Sequence, residues 1–455
     1  MFFPVTSALL ALPLIPLAAA LRVPGAVHIP VARNGQRPEL QQMIRKRASS
    51  KFASIDLTNL QEAYTINISI GGQSTSVVLD TGSSELWVDP DCSTASREAD
   101  SDATSPQYCE SIPRYDPASS STSEALNEGT TFSYADTTTI ELNYYTDTID
   151  IGGLTISKQQ FGVANVTNAT ALGIMGMGPS SAYGYNSSQQ PYSFILDSLA
   201  SQGQIASRAF SLDLRDYDNT TGAIIFGGLD EKKFSGSLQT LPLETVQMTS
   251  PYYVTVQSVG ITKPDTTTSS QYSQASFLAV LDSGTSDILT PQGLSLQICN
   301  DVNGTEIASG ETSFCLVDCS IKEQTGGLDV SFDGKTIQVT YENMLTDVTE
   351  NGFQYCFLAV TDTSVDTDPP TYILGAPFLR AAYAVFDWDN QQVHLAQSAD
   401  CGSNVVAIGS GSKAVPTAGG CKESSAARVV VVSLYTSWSG WILLFGSLVA
   451  ICGWM

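Results

Sequence analysis

The chain has 455 residues, with 45 acidic side chains against 21 basic ones and a net charge of −24. Phosphate backbones are repelled by such a balance, which argues against nucleic acid as a partner. Two histidines, His28 and His394, leave little material for a Ser-His-Asp or Cys-His nucleophile, and no His-Glu-x-x-His or paired Cys-x-x-Cys stands ready for a metal.

Residues 1–20 are apolar and end Ala18-Ala19-Ala20, which reads as a secretory signal peptide cut after Ala20. Residues 21–47 carry six bases, Arg22, Arg33, Arg37, Arg45, Lys46 and Arg47, against Glu39 alone, and everything after them sets 15 bases against 44 acids. A basic segment ahead of so acidic a body is expected to be a propeptide that covers the body's cleft by charge attraction. Lys46-Arg47 suits a proprotein-processing protease, so Arg47 is the expected cleavage point. The acidity of the body fits work at low pH, where many carboxylates are neutralised. His28 falls in the segment expected to be removed, and His394, in Gln392-Val393-His394-Leu395, is expected to be a surface or edge-strand histidine.

The body reads as mostly β. Runs at 64–70, 223–226 and 252–257 are β-branched or alternating and are divided by Gly, Asn, Asp and Ser turns. Helices are expected only near 193–202 and 291–300. About 350 residues suffice for two cores, and a boundary near 243–250 gives an N-terminal lobe over 48–245 and a C-terminal lobe over 246–398.

Those lobes share a plan. Val78-Leu79-Asp80-Thr81-Gly82-Ser83-Ser84 is nearly copied in Val280-Leu281-Asp282-Ser283-Gly284-Thr285-Ser286. Ile174-Met175-Gly176 begins 94 residues after Asp80, and Ile373-Leu374-Gly375 begins 91 after Asp282. Either Asp alone is a plausible turn residue at a strand end. Together they place identical carboxylates at a shared seam. Two carboxyls about 3 Å apart cannot both ionise freely, so they share a proton. The ionised member can take a proton from a water and the neutral member can donate to the carbonyl that water attacks. Thr81 and Ser283 stand at matched positions suited to bonding across the seam, while Ser83 and Thr285 can each donate to their own Asp. The glycines allow the sharp turns.

These residues resemble the pepsin-like aspartic proteases over most of residues 60–398. Asp80 to Ser84 with Leu86-Trp87-Val88 is similar to that family's first active-site strand, and Tyr372-Ile373-Leu374-Gly375, Phe378-Leu379-Arg380 and Val385-Phe386-Asp387 to its closing segment. Tyr134, in Phe132-Ser133-Tyr134-Ala135-Asp136-Thr137, is similar to the tyrosine of the flap hairpin. The resemblance implies a bilobal fold of two related β lobes and an aspartic endopeptidase without cofactor or metal, with an extended peptide bound in the cleft. It also implies that Asp136 on the flap helps to accept basic side chains. Ala135 and Thr137 stand where the family commonly has glycine, Glu85 where it often has Asn, and Ala376 where it often has Asp; neither Glu85 nor Ala376 is expected to do chemistry. The alternative is a catalytically silent relative that binds peptide or wall polymers; such relatives typically lose an Asp, and both are kept here.

Nine cysteines in a secretory context imply disulfides. Cys92–Cys109 would staple the acidic loop after Trp87. Cys319–Cys356 resembles the family's C-lobe disulfide, and Cys299–Cys315 and Cys401–Cys421 then follow by elimination, with Cys452 left in the apolar tail. N-glycosylation sequons begin at Asn67, Asn165, Asn168, Asn186, Asn219 and Asn303. Residues 399–425 read as a Gly/Ser-rich linker. Residues 426–455 read as a GPI-attachment signal, with Gly419, Gly420, Ser424 or Ser425 as the attachment residue; the alternative is a transmembrane helix. Anchor, dibasic site and acidic loop resemble the fungal yapsins within the family. The expected protein is a secreted monomer held by a GPI anchor at the plasma membrane or cell wall.

Overall fold

The structure is a computed structural model, and it describes residues 22–23, 26–33, 64–88, 113–133, 139–167, 172–180, 192–215, 221–244, 251–309, 312–350, 353–363, 370–418 and 420–421. The signal peptide, Arg47, the boundary at 245–250 and the 426–455 tail lie outside those residues.

Each half builds the same five-stranded unit. In the first, Tyr64–Ile70, Gln73–Asp80, Gly173–Gly176, Leu86–Val88 and Leu154–Thr167 lie side by side in that order. In the second, the order is Tyr253–Val256, Phe277–Leu281, Tyr372–Leu374, Ile288–Thr290 and Val360–Asp362. The pairings match in direction throughout: antiparallel, parallel, antiparallel, parallel. Register matches as well, with Leu79 opposite Met175 and Leu281 opposite Leu374. The stretches of the central strands that run into the Asp turns are apolar, as chain covered on both faces must be: Val77, Leu79, Val280 and Leu281 are all buried. The duplication read from two heptapeptides is therefore a duplication of topology.

A third layer joins the halves. Strands Phe234–Pro242, Gln392–Ser398, Ala382–Asp387, Ala209–Asp213, Thr221–Phe226 and Ala26–Arg33 form one antiparallel sheet in that order. Its apolar face carries Phe210 stacked on Phe386 at 4.7 Å, with Tyr252 against Phe386 at 4.6 Å. Ring pairs of this kind add about 0.5–1.5 kcal/mol each beyond their buried area. His394 belongs to this sheet, and the expectation of a surface or edge residue is corrected. The Gln392–Ser398 strand has a neighbour on either side, so His394 is buried, with Nδ1 2.9 Å from Thr240 Oγ1.

Ala26–Arg33 lies inside the segment read as a propeptide. It pairs backbone to backbone with Thr221–Phe226 and Tyr64–Ile70. The segment read as a linker is docked as well. Val405–Ala407 pairs with Gly228–Asp230, and Val405, Ile408 and Val415 are buried. The Cys401–Cys421 disulfide closes that loop, while Cys299–Cys315 and Cys319–Cys356 staple the C-terminal half. Cys92–Cys109 lies outside the described residues.

Helices are few. Ile195–Ser201 and Leu294–Asp301 stand close to the two expected. Tyr341–Met344 and Ala376–Ala381 were not expected; the second starts with Pro at its first turn, a position where the missing N–H costs nothing. Among the described residues, no helix is long and apolar enough to cross a membrane.

Candidate active site at the seam

Asp80 ends the strand Gln73–Asp80 and Asp282 follows Phe277–Leu281, so the duplicated units deliver one carboxylate each to the line where the halves meet. The chain turns sharply after each, and the turn supplies two donors. Gly82 N–H donates to Asp80 Oδ1 at 2.7 Å and Ser83 Oγ to Oδ2 at 2.5 Å. Across the seam, Gly284 N–H donates to Asp282 Oδ1 at 2.8 Å and Thr285 Oγ1 to Oδ2 at 2.6 Å. Each carboxylate is thus oriented from its own loop, with charge-assisted bonds that are stronger than neutral ones.

Thr81 and Ser283 tie the loops together. Thr81 N–H donates to Ser283 Oγ at 3.1 Å, and Ser283 N–H to Thr81 Oγ1 at 2.9 Å. Each hydroxyl then donates to a carbonyl on the far side: Thr81 Oγ1 to Leu281 O and Ser283 Oγ to Leu79 O, both at 2.8 Å. Both residues are buried, so these polar groups are satisfied only while the halves stay in register.

The glycines are required by space. A Cβ on Gly82 would lie 2.5–2.6 Å from the carboxyl atoms of Asp282, and one on Gly284 would lie 2.7 Å from Asp80 Oδ1. Gly176 and Gly375 repeat the argument one layer back. A Cβ on Gly176 would lie 2.4 Å from Glu85 N, and one on Gly375 2.2 Å from Asp287 O. No side chain larger than hydrogen lets the strands close on the active-site loops.

Burial pushes the Asp80 carboxyl well above the usual carboxylate range, and the neighbouring charge of Asp282 adds to the rise. The Ser83 and Gly82 hydrogen bonds oppose it by favouring the charged form. Among the described residues no cluster of His, Cys, Asp and Glu could hold a metal.

Tyr134 and Asp136 lie outside the described residues, between Ser133 and Thr139, which pair at the end of the hairpin Glu124–Ser133 and Thr139–Ile151. Of the sequons, Asn67, Asn165 and Asn303 are exposed, and Asn168, Asn186 and Asn219 lie outside the described residues. Two contributions escaped the sequence reading. Tyr252, fully buried, donates its hydroxyl to Met177 O at 2.9 Å and so ties the second half to the loop behind Asp80. Glu85 is half-buried beside that loop, where Tyr192 and Tyr144 hydrogen-bond to its carboxyl. A charged residue set between Ser84 and the apolar Leu86-Trp87-Val88 was the available signal.

A family model described as eukaryotic aspartyl protease matches residues 63–398. The chain is 31% identical over 413 residues to the probable aspartic-type endopeptidase opsB of Aspergillus oryzae, covering 87% of this chain and 81% of the relative. It is 35% identical over 362 residues to candidapepsin-3 of Candida albicans, covering 78% and 84%. Among solved structures, an aspartic proteinase from Irpex lacteus overlays with a TM-score of 0.58 at 21% identity, covering 82% of this chain and 97% of that one, which speaks for the fold. Matched loops, matched glycines and a match across both halves lead to one assignment: the chain belongs to the eukaryotic aspartyl proteases, the pepsin-like aspartic endopeptidases.

Proposed function

We propose that Asp80 and Asp282 hydrolyse peptide bonds through a water held between them. The observation that carries this reading is the reciprocal lock of Thr81 and Ser283, which sets two oriented carboxylates face to face, one of them buried and pushed toward its neutral form. The ionised carboxylate takes a proton from the water as its oxygen attacks the carbonyl carbon. The neutral carboxyl gives its proton to the carbonyl oxygen, producing a gem-diol. A proton then passes to the leaving nitrogen as the C–N bond breaks, and the pair regains its single shared proton. Ser83 and Thr285 hold the carboxylates in aim throughout.

The protein acts at acidic pH, as a secreted enzyme anchored at the cell surface in the manner of the yapsins. Secretion is supported by relatives named secreted aspartic protease in Candida albicans and by the apolar, alanine-ending start of the chain. Anchoring is supported by the apolar, uncharged residues 429–455, and zymogen processing by Lys46-Arg47. Tyr134 would cover the bound peptide, and Asp136 would favour Lys or Arg beside the scissile bond, helped by the body's negative charge.

A peptide-library digest at acidic pH, with and without pepstatin, tests the reading, because pepstatin's hydroxyl stands in for the attacking water. Asp282→Asn is expected to abolish nearly all cleavage while the fold survives. Wild-type rates in that variant would refute the mechanism, and equal cleavage beside basic and apolar residues would remove the role given to Asp136.

A further inference from the structure

We propose that Glu85 is a positioning residue for Asp80: it braces the loop that carries the carboxylate against two tyrosines from separate parts of the first half. This rests on the dyad reading above.

The loop between Asp80 and Leu86 is short, and Glu85 is its last residue. Its backbone is pinned, since Gly176 N–H donates to Glu85 O at 3.0 Å and the close approach to Gly176 leaves no slack. Its side chain reaches away from the loop to Tyr192, whose hydroxyl donates to Oε1, and to the Tyr144 hydroxyl. Tyr144 is fully buried on the strand Thr139–Ile151. Tyr192 packs edge-on against Tyr144 at 5.8 Å and against Phe194 at 4.9 Å.

Phe194 caps the helix Ile195–Ser201. In that helix Asp197 accepts from Ser180 N–H at 2.5 Å, and Ser180 lies two residues past Gly178. Gly178 N–H in turn donates to Ser83 O at 2.9 Å. The contacts therefore form a closed circuit: Ser83, Glu85, Tyr192, Phe194, Asp197, Ser180, Gly178 and back to Ser83. Ser83 is the residue whose hydroxyl aims Asp80.

Among the described residues no lysine or arginine forms an ion pair with Glu85. A carboxyl taken from water without a counter-cation is retained only at a cost. Burial pushes it above the usual carboxylate range, and the two tyrosine hydrogen bonds pull the other way. Its neutral form is favoured in acid, where the dyad works, and a neutral carboxyl has the shape and hydrogen-bonding capacity of an amide. That gives the proposal a discriminating variant.

The test uses purified mature enzyme, one peptide at acidic pH, and active sites counted by pepstatin titration. Glu85→Ala should lower kcat per titrated site on the order of 10- to 100-fold, the scale of a small misplacement at the reacting centre, with KM within about threefold of wild type. Glu85→Gln should restore kcat to within about threefold. Tyr192→Phe should lower kcat less than Glu85→Ala, and the double variant should be no worse than Glu85→Ala alone. The proposal fails if Glu85→Ala or Tyr192→Phe keeps wild-type kcat, if the loss vanishes once rates are divided by titrated sites, if Glu85→Gln is as impaired as Glu85→Ala, or if the two losses simply add. Should Asp282→Asn be inactive while Glu85→Ala is normal, only the role of Glu85 falls; an active Asp282→Asn would remove the dyad itself.

Discussion

Replacing Gly82 by alanine adds one methyl group at the centre of the site. That carbon would meet Cγ, Oδ1 and Oδ2 of Asp282 at 2.5–2.6 Å. Ordinary carbon contacts begin near 3.5 Å, so the carboxyl must retreat by roughly 1 Å. It cannot do so freely, because Gly284 N–H and Thr285 Oγ1 hold it at 2.8 and 2.6 Å. A displacement of about 1 Å at a reacting group costs about 100-fold, or about 2.7 kcal/mol in the barrier. Stability should fall as well, by about 1–3 kcal/mol, the usual cost of forcing an extra carbon into a packed site. The Gly82 backbone is not in the left-handed region, so alanine fits it, and alanine restricts the unfolded chain by about 0.4–1 kcal/mol, which offsets part of that cost. The expected signature is kcat down about 100-fold together with a lowered melting temperature. Peptide hydrolysis at acidic pH alongside thermal melting by circular dichroism measures both. Gly409→Ala is the control: its added carbon would meet nothing closer than Ala414 Cβ at 3.9 Å. If Gly82→Ala turns over within threefold of wild type, the carboxylates do not face each other as described.

Asp213 offers a pH test far from the cleft. Burial pushes it up to about 7 despite Arg215 Nε at 3.0 Å. Its folded-state pKa is raised, so the stability it contributes is complete below about pH 4 and is lost as pH rises to about 7, some 4 kcal/mol in all. Urea unfolding of wild type and Asp213→Asn at pH 4 and pH 7 should show a gap that opens in favour of the variant at the higher pH, and a constant gap would contradict this. His394 works in the opposite sense: burial lowers it to about 4, so its contribution is lost as pH falls from about 6.5. His394→Gln should flatten the acid side of the same curve. For processing, N-terminal sequencing of the mature protein should begin at Ala48, and phosphatidylinositol-specific phospholipase should release it from membranes; retention of residues 441–455 would instead leave a spanning helix.

The parts of the fold that could be read ahead were those with a local signature. Tyr64–Ile70 announces itself by alternation, and the two Asp-Thr/Ser-Gly turns by their copying. The sheet that joins the halves has no such signature. Phe210 pairs with Phe386, 176 positions on, and nothing near either residue records it. His394 looked peripheral for the same reason, since its burial comes from strands distant in sequence. Val405, Ile408 and Val415 were hidden by the glycines and serines around them, which set the average composition but not the contacts. Ala376–Ala381 is too short to show a helical period. At the site, the identity of the carboxylates and hydroxyls was written in the motif, but the reciprocal crowding of Gly82 and Gly284 required both halves at once. Glu85 looked idle because its partners, Tyr144 and Tyr192, come from elsewhere in the chain.

The docked segment closed by Cys401–Cys421 changes what a protease can do to this protein. The span between those cysteines is surface chain for most of its length, and a single cut within 402–420 would open the peptide backbone. It would not separate the pieces. The sulfur–sulfur bond would still carry whatever follows Cys421, and Val405–Ala407 would remain zipped to Gly228–Asp230 if the cut fell after it. A cut inside the ring therefore frees nothing downstream of Cys421 unless a reductant also opens the disulfide.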